Sequence, residues 1–300
     1  MTELYRTRIP ADAAPTTVER WLRRELGCST HLIRRLKVAN GMVVDGVSRR
    51  SIDPLLPGQE LVLSLPPLPA TNVAPEPVPL AIVYEDADLI VLDKPAGLVV
   101  HPTNGVYAGT LANGLAYLWQ QRGEPTGIHP IHRLDRLTTG LLVFAKHSWA
   151  HHRLDEQLLA HKLDRAYLAL VWGNPAADAG TIDLPIGMAG SHPVERAVVE
   201  GGQAARTSWE VAERFADAAL LRLVLATGRT HQIRVHMAAI GHPLLGDTLY
   251  AAERPLAAPR QALHAAVLAF KHPRTGEPMR FESSLPADLE AVRRRLAGSS

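Results

Sequence analysis

Residues 129–146 read His-Pro-Ile-His-Arg-Leu-Asp-Arg-Leu-Thr-Thr-Gly-Leu-Leu-Val-Phe-Ala-Lys, crowding one carboxylate, Asp135, among His129, His132, Arg133 and Arg136. A carboxylate in such a setting can serve as a nucleophile or a general base. Leu141 to Ala145 follows as an apolar run that reads as a short buried strand, so the acid would sit on a loop held by rigid structure. The same composition also suits a solvated, charge-balanced loop, and the other motifs have to decide between the two.

Two further groups carry polar chemistry. In Arg165-Ala-Tyr167-Leu-Ala-Leu-Val171, alternation sets Arg165, Tyr167 and Ala169 on one strand face and Leu168 and Leu170 on the other. An aromatic on a polar face suits stacking against a base, although a tyrosine closing the edge of a core is commoner. In Gly228-Arg-Thr-His-Gln-Ile-Arg-Val-His-Met237, Thr230 is expected to cap a helix ending before Gly241. Arg229 would then stand at the positive end of the helix dipole, where a cation calls for a carboxylate or a phosphate as partner. Arg234 lies in the same motif and competes for that partner. The position ahead of the helix projects more readily into a cleft, which favours Arg229.

The elements that position these residues are those of a two-part chain. Its 300 residues exceed the usual single core. One cysteine, Cys28, leaves no internal disulfide framework and no Cys-x-x-Cys motif. No apolar core like that of a signal peptide opens the chain and no apolar run approaches the length of a bilayer span, so a cytoplasmic protein without membrane partners is expected. The formal net charge of +2 is unevenly spread: Thr17 to Arg50 carries eight Arg or Lys against three acids, and the rest of the chain is mildly acidic. A basic module on an acidic body suggests a polyanionic partner.

That module is expected over residues 15–65. Val18, Trp21, Leu22 and Leu26 recur at helical spacing up to Gly27, and Ser29 would cap a second helix carrying Leu32, Ile33 and Leu36. A hairpin turning at Asp45-Gly46 and a strand at Leu61 to Leu65 follow. Arg34, Arg35 and Lys37 would face away from the apolar side of the second helix. Residues 66–79 hold six prolines without periodicity and read as a semi-rigid linker that keeps the module near the body while allowing reorientation. Residues 80–300 form the body. Strands are expected at Ile82 to Tyr84, Leu89 to Leu92, Ala166 to Val171, Thr207 to Val211, Leu220 to Ala226, Ala265 to Phe270 and Met279 to Glu282. Helices are expected near 110–121, 149–162 and 287–296. Strands outnumber helices without regular alternation, which favours an α+β body on a largely antiparallel sheet.

Five ordered stretches together resemble the motifs of the RluA family of RNA pseudouridine synthases. They are Lys94-Pro-Ala-Gly-Leu-Val-Val-His-Pro102, His132-Arg-Leu-Asp135 with Thr139-Gly140-Leu-Leu and Ala145-Lys146, Arg165-Ala-Tyr167, Gly228-Arg-Thr-His-Gln-Ile-Arg234, and Gly241-His-Pro-Leu-Leu-Gly-Asp247. The module ahead of them resembles the S4 RNA-binding domain. The resemblance implies isomerisation of uridine in structured RNA on a mixed sheet with a central RNA-binding cleft, without metal or organic cofactor. It implies Asp135 as the catalytic aspartate, Tyr167 as the stacking tyrosine and Arg229 as the basic partner. His132, Arg133, Arg234, Arg34, Arg35 and Lys37 would contact RNA. Ribosomal RNA of the large subunit is the commonest substrate class of such relatives, with transfer RNA an alternative. Leu137 and Thr138-Thr139 depart from the family's usual pattern without removing a catalytic group.

Two other readings exist. His101, His129, His132, His231, His236 and His242 could gather zinc for a hydrolase, but His231 and His236 are five apart and no His-Glu-x-x-His occurs. An RNA binder with an inert centre would need a defect in a set of residues that is complete.

Overall fold

The computed structural model describes residues 2–66, 73–103, 105–124, 126–190 and 195–298. The body is built on a ten-stranded sheet. Eight strands form its path, in the spatial order Ala179–Asp183, Arg206–Arg214, Ala218–Leu225, Asp164–Trp172, Leu263–Lys271, Thr139–Ala145, Leu89–Lys94 and Ile82–Glu85. Pro278–Glu282 pairs with Leu263–Lys271, and His129–Pro130 with Thr139–Ala145. Every pairing is antiparallel except that of Thr139–Ala145 with Leu263–Lys271, so the sheet is mixed and largely antiparallel.

Helices cover both faces, and the sequence shows why. In Thr139–Ala145 all seven residues are buried, as expected of a strand with apolar residues on both sides. Leu142 and Phe144 pack toward the helix Leu111–Arg122, while Leu141 and Val143 join the core under the helix Ser148–Leu159. Gly140 opens this strand at φ 109°, and a Cβ there would meet the Ala265 carbonyl oxygen at 2.2 Å. Only glycine permits that close parallel approach. Further along the sheet, Leu170 and Leu220 are covered by Leu289 and Val292 of the C-terminal helix Ala287–Ala297.

The basic module folds as its periodicity implies. Helices Val18–Arg24 and Thr30–Val38 are capped by Thr17 and by Ser29, whose hydroxyl accepts from the Leu32 N–H. Two features lie beyond the expectation. Thr2–Arg8, ahead of the proposed boundary at residue 15, pairs with Glu60–Leu65 and so belongs to the module's sheet. The module is also docked rather than loosely tethered. Leu22, Ile33 and Leu63 share one core with Trp149, Leu154 and Phe270 of the body, and the Trp149 indole donates to the Leu26 carbonyl at 3.2 Å. Of the expected linker, Pro67 and Pro69 lie outside the described residues. Its later part is pinned to the helix Leu111–Arg122, where Asn113 donates to the Ala74 carbonyl and accepts from the Glu76 N–H. Among the described residues no helix is long and apolar enough to cross a membrane.

Candidate active site

Asp135 lies on the loop entering the strand Thr139–Ala145, and its side chain is about a quarter open to solvent. The loop is fixed from below by Lys94. That ammonium is fully buried at the end of the neighbouring strand and donates to the carbonyls of Pro95, Leu98 and Arg136 at 2.8–2.9 Å. Arg136 also clasps Gly97 through two hydrogen bonds. On the other side Arg260 donates to the Leu137 carbonyl and Gln261 to the Thr138 hydroxyl at 2.8 Å, with the Gln261 amide 3.5 Å from Asp135 Oδ2.

Burial pushes the Lys94 ammonium down to about 7, against the raising influence of Asp135. An unfolded chain keeps this proton up to the ordinary lysine value of 10.5, so between about 7 and 10.5 the unfolded state binds more protons and stability rises with pH. Wild type is therefore expected to gain stability on moving from pH 7 to pH 9.5 by a margin that Lys94→Met lacks. Urea unfolding of both proteins at both pH values measures this, and parallel pH dependences would refute it.

The cation facing Asp135 is Arg234. Its Nη1 stands 3.3 Å from Asp135 Oδ2, while its Nε and Nη2 grip both oxygens of Asp247 at 2.7 and 2.9 Å. The Asp247 side chain is wholly buried and accepts the backbone N–H groups of Leu249 and Tyr250 as well. The Tyr250 ring lies 4.9 Å below the guanidinium. Burial works against the charge on Arg234, but the hydrogen-bonded Asp247 and then Asp135 outweigh it and raise its pKa. The bidentate grip leaves one arm of the fork pointing at Asp135. His231 completes the rim, with Nδ1 3.0 Å from the Tyr250 hydroxyl and Nε2 4.0 Å from Asp135 Oδ2.

Several site expectations change here. Arg229 does not pair with Asp135: it is exposed and donates to the Ala204 carbonyl. The cause is the start of the helix. Thr230 does not cap it; the helix is Gln232–Ala239, entered through His231 at φ 58°. The Gln232 side chain accepts from the Arg229 N–H and the Thr227 hydroxyl and donates to Arg206 and Thr207, locking that entry. Arg234 thus falls in the first helical turn facing Asp135, and its expected exposure to RNA gives way to burial. His132, expected at the RNA backbone, is buried, and among the described residues both its ring nitrogens are enclosed without partners. Arg133 is exposed.

Tyr167 is on a buried face, not a polar one. It packs with Ala169, Leu223 and Ala265 in the core beside the helix Gln232–Ala239. It also feels the site: burial raises its hydroxyl pKa, with Arg165 opposing and Asp135 adding to the rise. Of the module's cations, Arg34 is exposed, Lys37 is paired with Glu19 at 2.8 Å, and Arg35 reaches Ser148 of the body at 3.4 Å. Sequence reasoning missed Asp247, Gln261 and Lys94 as parts of the site. Asp247 and Lys94 stand in motifs already singled out, whereas Gln261 carries no local signal.

The histidines of the zinc reading do not gather. His236 bridges Thr207 and the Leu184 carbonyl, and His242 meets the Trp172 carbonyl. Among the described residues the one group with metal-binding proximity is Asp86, Asp88 and His272, and there Arg274 already holds Asp88.

A carboxylate held against a braced arginine, with a buried tyrosine on a central strand of the mixed sheet, is an arrangement capable of general-base or nucleophilic chemistry. Comparison with known proteins specifies the class. The RNA pseudouridylate synthase family matches residues 88–239. An RNA pseudouridine synthase of Bacillus subtilis (strain 168) is 43% identical over 251 residues, covering 83% of each chain. The ribosomal large subunit pseudouridine synthase D of Pseudomonas aeruginosa is 43% identical over 261 residues, covering 83% of this chain and 81% of its own. The solved structure of human RNA pseudouridylate synthase domain containing 4 superposes with a TM-score of 0.59 at 27% identity, covering 72% of this chain and 93% of its own. The chain belongs to the RluA-type RNA pseudouridine synthases.

Proposed function

We propose that this enzyme isomerises particular uridines in large-subunit ribosomal RNA, with transfer RNA as the alternative substrate, and that Asp135 is the group that acts on the nucleotide. The observation that carries the reading is the partly open Asp135 carboxylate held by Arg234, itself braced by Asp247. The reaction breaks the bond from N1 to the ribose, turns the uracil within the site and rejoins it through C5. A carboxylate can open it by attacking C1′ or by removing a ribose proton to give a glycal. Arg234 holds that carboxylate in place with a charged donor. A duplex hides the base, so the nucleotide is flipped out, and Tyr167 stacks on the extruded uracil. Arg133 at the mouth and Arg34 on the module meet backbone phosphates.

The N-terminal unit is read as an S4-like domain that adds RNA affinity, its helix pair and hairpin supporting that reading together with its charge. The enzyme works in the cytoplasm and needs neither metal nor organic cofactor. Carbodiimide mapping of pseudouridine on unmodified total RNA, after incubation with wild type or Asp135→Asn, tests the proposal. New reverse-transcription stops are expected from wild type alone, while the variant keeps binding RNA. Equal stops from both proteins would remove Asp135 from the chemistry. No stops on any RNA with a folded, RNA-binding protein would favour the inert binder.

A further inference from the structure

Three arginines are buried among the described residues, and two of them hold a carboxylate: Arg234 pairs with Asp247, and Arg260 with Asp288. The third, Arg165, is 6% exposed; its side chain makes no ion pair and no hydrogen bond with those residues, and its Nε is fully enclosed. Its neighbours do not compensate it. His132 is buried beside it, with burial and then the Arg165 charge pushing the imidazole down to about 3, so that ring is neutral. On the other side is Gly228, where a Cβ would come within 3.0 Å of Arg165 Nη1. The chain thus leaves room for a charged fork, and among the described residues no carboxylate, Asp164 on the neighbouring pocket included, forms an ion pair with it. Burying a guanidinium this way is unfavourable unless an anion joins it.

The position of Arg165 indicates which anion. It lies two residues before Tyr167 on the strand Asp164–Trp172, about 7 Å away along the chain at the usual rise per residue. It borders a pocket of 190 Å³ with Ser208, Leu225, Ala226, His161 and Asp164. A uracil is neutral and cannot balance the charge, whereas the strand that carries a flipped uridine brings a phosphate at each nucleotide. Planar guanidinium geometry suits two phosphate oxygens at once.

We propose that Arg165 is a phosphate anchor, taking a backbone phosphate of the RNA strand next to the nucleotide stacked on Tyr167. The proposal rests on the functional reading above. It makes Arg165 a substrate-binding residue whose cost in the free protein is offset only when RNA is bound.

The test is filter binding of an unmodified large-subunit ribosomal RNA transcript to wild type, Arg165→Met and Arg165→Lys across a potassium chloride series, with thermal midpoints of the RNA-free proteins. Arg165→Met is expected to bind about tenfold more weakly at low salt, and its slope of log affinity against log salt should fall by about 0.7 to 0.9, the share of one phosphate. Arg165→Lys should keep the slope. The RNA-free midpoint of Arg165→Met should equal or exceed that of wild type, because an unpaired buried charge has been removed. Should Arg165→Met not fold, Arg165→Gln takes its place. An unchanged slope, or a lowered midpoint with equal loss in the Met and Lys variants, makes Arg165 structural and overturns the proposal. A wild type that binds no RNA overturns both readings. A slope that changes as expected in a protein that modifies no RNA leaves the anchor standing and removes the enzymatic reading.

Discussion

Replacing Arg234 with glutamine is expected to lower turnover by about a hundred- to thousandfold, whereas Arg229→Gln should stay within about twofold of wild type. The larger figure is that of removing one preorganised charged donor from an enclosed site. It applies to Arg234 because its Nε and Nη2 are committed to Asp247, which fixes the remaining Nη1 arm on Asp135. His231 stands at 4.0 Å, and burial followed by the Arg234 charge lowers its pKa against the opposing influence of Asp135. Arg229 is spared because its side chain points to the Ala204 carbonyl at the surface. Single-turnover rates on the mapped RNA, with Kd measured separately, provide the comparison. Similar losses in the two variants would mean that the entry to the helix is rearranged when RNA binds and that Arg229 reaches the centre.

The second large effect concerns the joint between module and body. Arg274, on the turn after Leu263–Lys271, holds buried Asp88 through Nε at 2.7 Å and through Nη2. It also donates to the Leu4 carbonyl of the module at 2.8 Å and lies over the rings of Tyr5 and Trp149 at 5.3 and 5.4 Å. Arg274→Ala leaves Asp88 buried with only histidine partners. Removing one member of a buried pair is strongly destabilising, and with the Arg274 side chain 31% exposed the expected loss is about 2–4 kcal/mol. The module should loosen before the body unfolds, since the guanidinium bridges the two at their joint. Urea unfolding gives the stability change, and limited proteolysis within residues 66–79 reports the loosening. Unaltered cleavage and stability in Arg274→Ala would show that the apolar packing of Trp149 and Leu154 holds the joint alone.

Much of this site was legible locally. Asp135 ahead of a run that is apolar on both faces had to sit at the mouth of a central strand, because a continuous apolar strand must be covered on both sides. The helix cap at Ser29 depends only on the next three residues, and the basic surplus of the module can be counted. The choice between Arg229 and Arg234 was of another kind. It turned on one residue of helix start, and that start is set by Gln232 bonding to Arg206 and Thr207, residues brought in by a different strand. Helix phase rotates each side chain by about a quarter turn per residue, so a short error in the start reassigns which arginine faces Asp135.

Nonlocal pairing governs the rest. Thr2–Arg8 becomes a strand because Glu60–Leu65 offers it an edge. Arg165, set by alternation on a strand face with Tyr167, and His132, expected at the RNA backbone, are both buried in the fold, Arg165 beside Gly228. Asp247 and Gln261 approach Asp135 and its loop from over a hundred residues away in the chain. By itself the sequence determined which residue types stand in which order and the periodicity of each segment, because those depend on neighbours within a turn or a strand. Which cation meets the carboxylate, and which is buried without a partner among the described residues, only the tertiary structure decided, because charge pairing acts through space between segments that sequence spacing does not relate.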